Sequence, residues 1–230
     1  VSGAENFNPM AIVEAFNRHH VDYVVIGGFA AELHDAPVRP TRDIDFTPST
    51  TAENLTRVSE ALSDLGARIR TEGVPEGLAF SHDGASLGRA AVWNLTSDLG
   101  ELDISFRPSG TEGYDDLVRD AIRLDVRGQA MPVASLADVI RSKEAAGREK
   151  DLSVLGALQR RLTALEGVSA QDQAVAMARL AAERVAGPPP AAPEPRRGPR
   201  GGGRGQGRPT NDPPPPRRPS PGREPPDYGR

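Results

Sequence analysis

The chain has 230 residues, no cysteine, a formal net charge of −4 and 4% aromatic residues. The lack of cysteine excludes a disulfide framework and any thiolate site, and no paired-histidine pattern suggests zinc. No apolar run approaches the ~20 residues of a membrane span, and no basic-then-apolar leader opens the chain, so a cytoplasmic protein without a membrane partner is expected.

Asn8-Pro9 reads as a helix start, with Asn as N-cap and Pro at the first helical position. Met10, Ile12, Val13 and Phe16 continue it as an apolar stripe, ending near His19-His20. Asp22 to Ile26 predicts a buried strand. Gly27-Gly28 turns it into a short helix, Phe29 to His34. Pro37 and Pro40 flank a polar loop, and Asp43 to Thr47 predicts a second strand. Thr50 or Thr51 caps a helix reaching about Leu65, with Gly66 as its stop. Short strands are expected around Ala67–Arg70 and Leu78–Ser81. Ala90–Leu95 and Glu101–Phe106 read as a hairpin around Ser97-Asp98-Leu99-Gly100. Tyr114 to Asp120 suggests a helical turn and Ile122 to Val126 a strand. Met131-Pro132-Val133 reads as an extended lead-in to three helices: Ser135 to about Ala146, Lys150 to about Leu165, and Ala170 to Val185. Mixed strands and helices followed by helices alone predict an α/β (α+β) core with a helical C-terminal extension.

Composition changes sharply after residue 186. Residues 187–230 hold 15 prolines, 9 glycines and 9 arginines, with Tyr228 as the only aromatic. Such a segment buries too little apolar surface to offset the entropy of ordering, so a disordered tail is expected. It is net basic while the rest of the chain is net acidic. Its Arg-Gly runs suit a phosphate backbone; a solubilising tail without a specific partner is the plainer reading. The expected organisation is a core at 1–130, a helical region at 131–186 and the tail at 187–230.

Chemistry concentrates in three places. Val24-Val25-Ile26-Gly27-Gly28 is an apolar strand stopped by a glycine turn. Asp43-Ile44-Asp45-Phe46 sets two carboxylates on one strand face, with Ile44 pointing into the core. Side by side they repel unless a cation sits between them. Leu102-Asp103-Ile104 places a third acid in a strand that should be central, and a buried Asp must be satisfied, by a metal or by an arginine. If its strand neighbours that of Asp43 and Asp45, the three acids converge on a site suited to magnesium or manganese. Singly, each feature has a plain alternative: a solvated acidic strand, an ordinary turn, a salt-bridged aspartate. His34 is as well suited to packing as to ligand contact, and Trp93 reads as core.

These three blocks resemble the signature elements of the nucleotidyltransferase (polymerase beta-like) superfamily. The stretch Gly27-Gly28-x-Ala30, His34, Arg39-x-Thr41-x-Asp43-x-Asp45, with Leu136, Lys143 and Gly147-Arg148-x-Lys150-Asp151-Leu152, is similar more narrowly to the AbiEii/MenT-type toxin group. The resemblance spans about Val21 to Leu165 and implies a nucleotidyltransferase-like mixed sheet flanked by helices. It further implies that Gly27 and Gly28 cradle a triphosphate, that Asp43 and Asp45 hold the metals, and that Asp103 binds the catalytic metal and helps deprotonate the acceptor hydroxyl. Lys143 would approach the phosphates, and Asp151 would support that region or the acceptor. Arg39, Thr41 and Arg42 would belong to the nucleotide site, the arginines through their planar donors. Many relatives have Gly-Ser in place of Gly27-Gly28, so one phosphate contact is missing here. A solvated helix face is the competing reading of Lys143 and Asp151.

The expected activity is transfer of a nucleoside monophosphate from an NTP to a hydroxyl. The resemblance implies an RNA acceptor, a tRNA 3′ end, and a toxin paired with a cognate antitoxin protein. Two alternatives stand beside it: a small-molecule (antibiotic) or protein hydroxyl as acceptor, and a non-catalytic binding module of the same fold. An acidic folded region is friendlier to a cationic aminoglycoside than to RNA.

Overall fold

The computed structural model describes residues 7–186; the expected tail at 187–230 lies outside them. The chain opens with α1 (Pro9–Arg18), capped by the Asn8 side chain, which accepts from the Ala11 N–H at 3.1 Å. β1 (Tyr23–Ile26) is buried at every position, as a strand covered on both faces must be. α2 (Gly27–Leu33) follows without a linker, and β2 (Asp43–Pro48) comes after the polar loop. Thr51 caps α3 (Ala52–Asp64). β3 (Arg68–Thr71), β4 (Val74–Leu78), the short α4 (Gly84–Leu87), β5 (Val92–Ser97) and β6 (Gly100–Ser105) complete one half of the sheet. α5 (Tyr114–Leu117), β7 (Ile122–Val126) and β8 (Gln129–Val133) lead into α6 (Leu136–Ala146), α7 (Glu149–Ala164) and α8 (Ala170–Ala186).

The strands form one mixed sheet in the order β4-β3-β5-β6-β2-β1-β8-β7. β2 lies at its centre, antiparallel to β1 and parallel to β6. That register sets Asp45 opposite both Ile26 and Asp103. Against one face, Phe16 of α1 stacks on Phe46 of β2 with centroids 4.3 Å apart, and Tyr23 meets both rings edge-on. Phe16, Phe29 and Phe46 are fully buried, each worth roughly 1.5–3 kcal/mol of transfer free energy. This packing fixes the strand faces and so fixes which way Asp43 and Asp45 point.

The sheet departs from the sequence expectation in two hairpins and one helix. β4 occupies Val74–Leu78, not Leu78–Ser81, because Gly73 (φ +82°) turns the chain straight back from β3. Pro75 and Gly77 are tolerated there because β4 is a sheet edge. Residues 131–133, expected as a mere lead-in, belong to a full strand. Arg127 and Gly128, both at positive φ, form the tight turn that pairs β7 with β8. β8 also crosses the expected 130/131 boundary and pairs with β1 at Val133. The turn α4, with its Asp83–Ser86 capping box, was not expected. Among the described residues no helix is long and apolar enough to cross a membrane.

Candidate active site

β1 delivers the chain to the glycine elbow. Gly27 has φ +71°, and a Cβ there would lie 2.0 Å from Asp45 Oδ2. Only glycine lets the acid approach so closely. The Gly28 N–H faces the Asp45 carboxylate and favours its charged form, the smallest of the influences on that acid. Thr41 fills the space beside Gly28 and donates its hydroxyl to Asp43.

Asp43, Asp45 and Asp103 converge as the strand pairing requires. One carboxylate oxygen from each lies within 4.8 Å of the others. Burial, and then the charges of Asp43 and Asp103, push the Asp45 carboxyl up to about 7, with Lys143 and the Gly28 N–H opposing. Burial also raises Asp103, against the pull of Arg70. Three all-oxygen ligands whose charges strain one another fit a hard divalent cation.

Arg70 was missing from the sequence reading. It reaches from β3 across β5 and grips both Asp103 oxygens at 2.8 and 2.9 Å, while also pairing with Glu101. An arginine partner for Asp103 was anticipated in kind; its position depends on sheet order, which the sequence does not display.

The helices bring a second group. Gly147, left-handed at φ 62°, ends α6 and starts α7 at an angle that faces Lys143 toward Asp151. Lys143 Nζ lies 3.0 Å from Asp151, and Arg148 Nε lies 2.6 Å from its other oxygen. Burial works to raise the Asp151 pKa, but the hydrogen bonds and charges of Lys143 and Arg148 outweigh it and hold the carboxyl below its usual range. Arg148 sits three residues before Asp151, an i,i+3 spacing that flags such a partner on a helix.

Two cavities meet at the acids. The smaller, about 280 Å³, is lined by Gly27, Gly28, Arg39, Thr41, Lys143, Arg148 and Lys150 together with the three acids and Asp151. The larger, about 350 Å³, shares Gly27, Asp45, Asp103, Lys143, Arg148 and Asp151 and adds polar groups from Asn94, Ser105, Ser109, Thr111, Asp138 and Ser142. Arg42 is exposed and lines neither cavity. His34 is buried, with Nε2 2.9 Å from the Ala134 carbonyl, and ties α2 to the start of α6. Trp93 is partly buried and hydrogen-bonds the Leu87 carbonyl.

Glu32 and Arg184 were also missed. Glu32 accepts the Thr41 N–H, and Arg184 of α8 pairs with Glu32 at 3.1 Å and donates to the Thr41 carbonyl at 2.8 Å. Burial raises Glu32, against the Thr41 N–H and Arg184. An acid inside the otherwise apolar helix α2 was the available signal for Glu32. Arg184, 143 residues from Thr41, gave none.

The sequence pattern of one family, described as Aminoglycoside-2''-adenylyltransferase, matches residues 9–154, well over half of the chain. This chain belongs to that family. It is therefore a nucleotidyltransferase, and the three acids, Lys143 and Asp151 all lie within the matched span. Solved structures similar to it include a lincosamide antibiotic adenylyltransferase with lincomycin bound (17% identity, 67% of this chain and 98% of that chain, TM-score 0.46). Others are ANT(2'')-Ia in complex with adenylyl-2''-tobramycin (15%, 76% and 96%, 0.41) and a candidate nucleotidyltransferase from Thermotoga maritima (17%, 68% and 91%, 0.40). None of the curated proteins compared with the chain matches it.

Proposed function

We propose that this adenylyltransferase moves the adenylyl group of ATP onto a hydroxyl of an aminoglycoside-class antibiotic, releasing pyrophosphate. The observation that carries the chemistry is the carboxylate trio at the junction of two polar cavities. The family match supports the acceptor class. In this reading, residues 1–130 supply the acids and residues 131–186 supply Lys143 and Asp151.

Asp43, Asp45 and Asp103 would hold divalent magnesium or manganese. When bound, these ions neutralise the triphosphate and favour ionisation of the attacking hydroxyl. The smaller cavity suits the triphosphate: Arg39, Lys143, Arg148 and Lys150 all reach its wall. Lys143 can keep one hydrogen bond to Asp151 and offer its remaining donors to phosphate oxygens. Gly27 and Gly28 line the same wall, Gly27 leaving room for Asp45 and Gly28 for Thr41. Asp103 faces both cavities and receives the acceptor proton. The larger cavity, of a size common for small-ligand sites, is lined with hydroxyl and amide groups that match a polyhydroxylated ring. The acidic balance of the chain outside its tail favours a cationic acceptor. Positioning and electrostatics together supply the rate enhancement.

An RNA 3′ end is the competing acceptor, in keeping with the AbiEii/MenT-type resemblance and its antitoxin partner. Both are tested in one assay: ATP labelled at the α-phosphate, magnesium, and in separate reactions kanamycin-type aminoglycosides, lincomycin and total tRNA. Label on the aminoglycoside supports the proposal. Label on tRNA alone, with growth arrest on expression, overturns it in favour of the toxin reading.

A further inference from the structure

Asp103 is the member of the trio already held by a cation of the protein. Its two oxygens both accept from one Arg70 nitrogen, at 2.8 and 2.9 Å, while a second nitrogen of the same guanidinium pairs with Glu101. Asp103 and Arg70 are both sheltered, at 17% and 29% side-chain exposure, so solvent screens the pair only in part. Among the described residues, Asp43 and Asp45 carry no comparable clamp: Asp43 accepts from the Thr41 hydroxyl, and Asp45 faces the Gly28 N–H.

We propose that Arg70 is a built-in competitor for the divalent ion at Asp103, released toward Glu101 when metal and nucleotide arrive together. The inference rests on reading the three acids as a metal site. A planar guanidinium across both carboxylate oxygens leaves a metal only the remaining lone pairs and sets two cations side by side. Glu101 already accepts from the guanidinium, so Arg70 can let go of Asp103 without losing every partner. The triphosphate then supplies the negative charge that makes a second positive centre tolerable. Arg70 thus disfavours metal without nucleotide and couples the two binding events. Arg70 is a positioning residue here; it lines neither cavity and touches no substrate pocket.

The test measures manganese binding to the whole protein by electron paramagnetic resonance, without turnover. Wild type, Arg70→Gln and Arg70→Lys are compared, each with and without an ATP analogue whose α,β-bridging oxygen is methylene. Without nucleotide, Arg70→Gln should bind manganese about tenfold tighter than wild type, and Arg70→Lys, a charge without separate nitrogens for Asp103 and Glu101, about two- to threefold tighter. The gain in manganese affinity from the analogue should be smaller in Arg70→Gln than in wild type. Thermal unfolding should show Arg70→Gln less stable in EDTA and more strongly stabilised by magnesium. If wild type binds manganese and both variants bind it equally or more weakly, Arg70 only orients Asp103 and the competitor role is wrong. If wild type binds no manganese even with the analogue, the metal site itself falls, and this inference with it.

Discussion

Asp45 carries its charge between two other carboxylates and beside a glycine that admits no side chain. Its carboxyl is raised from 3.8 to about 7, so the folded chain holds that proton more tightly than the unfolded chain does. Through that proton, the metal-free protein loses stability at this site as pH rises from about 4 to about 7, and the loss is complete above that window. Asp45→Asn removes the strained charge. In EDTA at pH 8 it should therefore raise the unfolding temperature, by on the order of 1 kcal/mol or roughly 2–4 °C, and the gain should vanish near pH 4. The same variant, like Asp43→Asn and Asp103→Asn, should lower kcat for label transfer by at least about 10²–10³-fold, the scale of losing one electrostatic stabiliser. Gly27→Ala forces a Cβ onto Asp45 in left-handed backbone, which costs about 1–3 kcal/mol before the clash is counted; calorimetry should show it, with activity lost. These acids were legible because period-two alternation on an apolar strand leaves a carboxylate nowhere to hide. Arg70 was not, since its partner lies two strands away in a sheet whose order no local pattern encodes.

At the scale of elements, β2 and β6 carry the acids, and α8 holds the loop between α2 and β2. Arg184 grips Thr41 and Glu32, and Thr41 in turn donates to Asp43. Arg184→Ala should loosen this loop and raise the KM for ATP about five- to tenfold, the worth of ~1 kcal/mol from a partly exposed charged contact. Arg184→Lys should recover part of the loss, and initial-rate kinetics separate KM from kcat. The starts of helices α1, α3 and α6 were readable from their caps, because Asn8, Thr51 and Ser135 each satisfy an N–H of the first turn. The β3–β4 and β7–β8 hairpins were not, because Pro75 and Pro132 argue locally against a strand. A sheet edge at β4, and a β1 contact at Val133 beyond Pro132, override them.

For the whole molecule, the central sheet sets two parallel strands side by side so that Asp45 and Asp103 share a register. Helices from the C-terminal half then close the site with Lys143 and Asp151. The family match ends at residue 154, yet Arg184 reaches back to the loop before β2. The proposed activity depends on the three acids binding divalent ions, and crystals grown with manganese and a non-hydrolysable ATP analogue test this directly through anomalous scattering. The expected result is a manganese peak about 2.0–2.3 Å from oxygens of Asp43, Asp45 and Asp103, with the analogue's phosphates against Lys143. An ordered analogue with no manganese among these three carboxylates, or with its phosphates bound elsewhere, would contradict it.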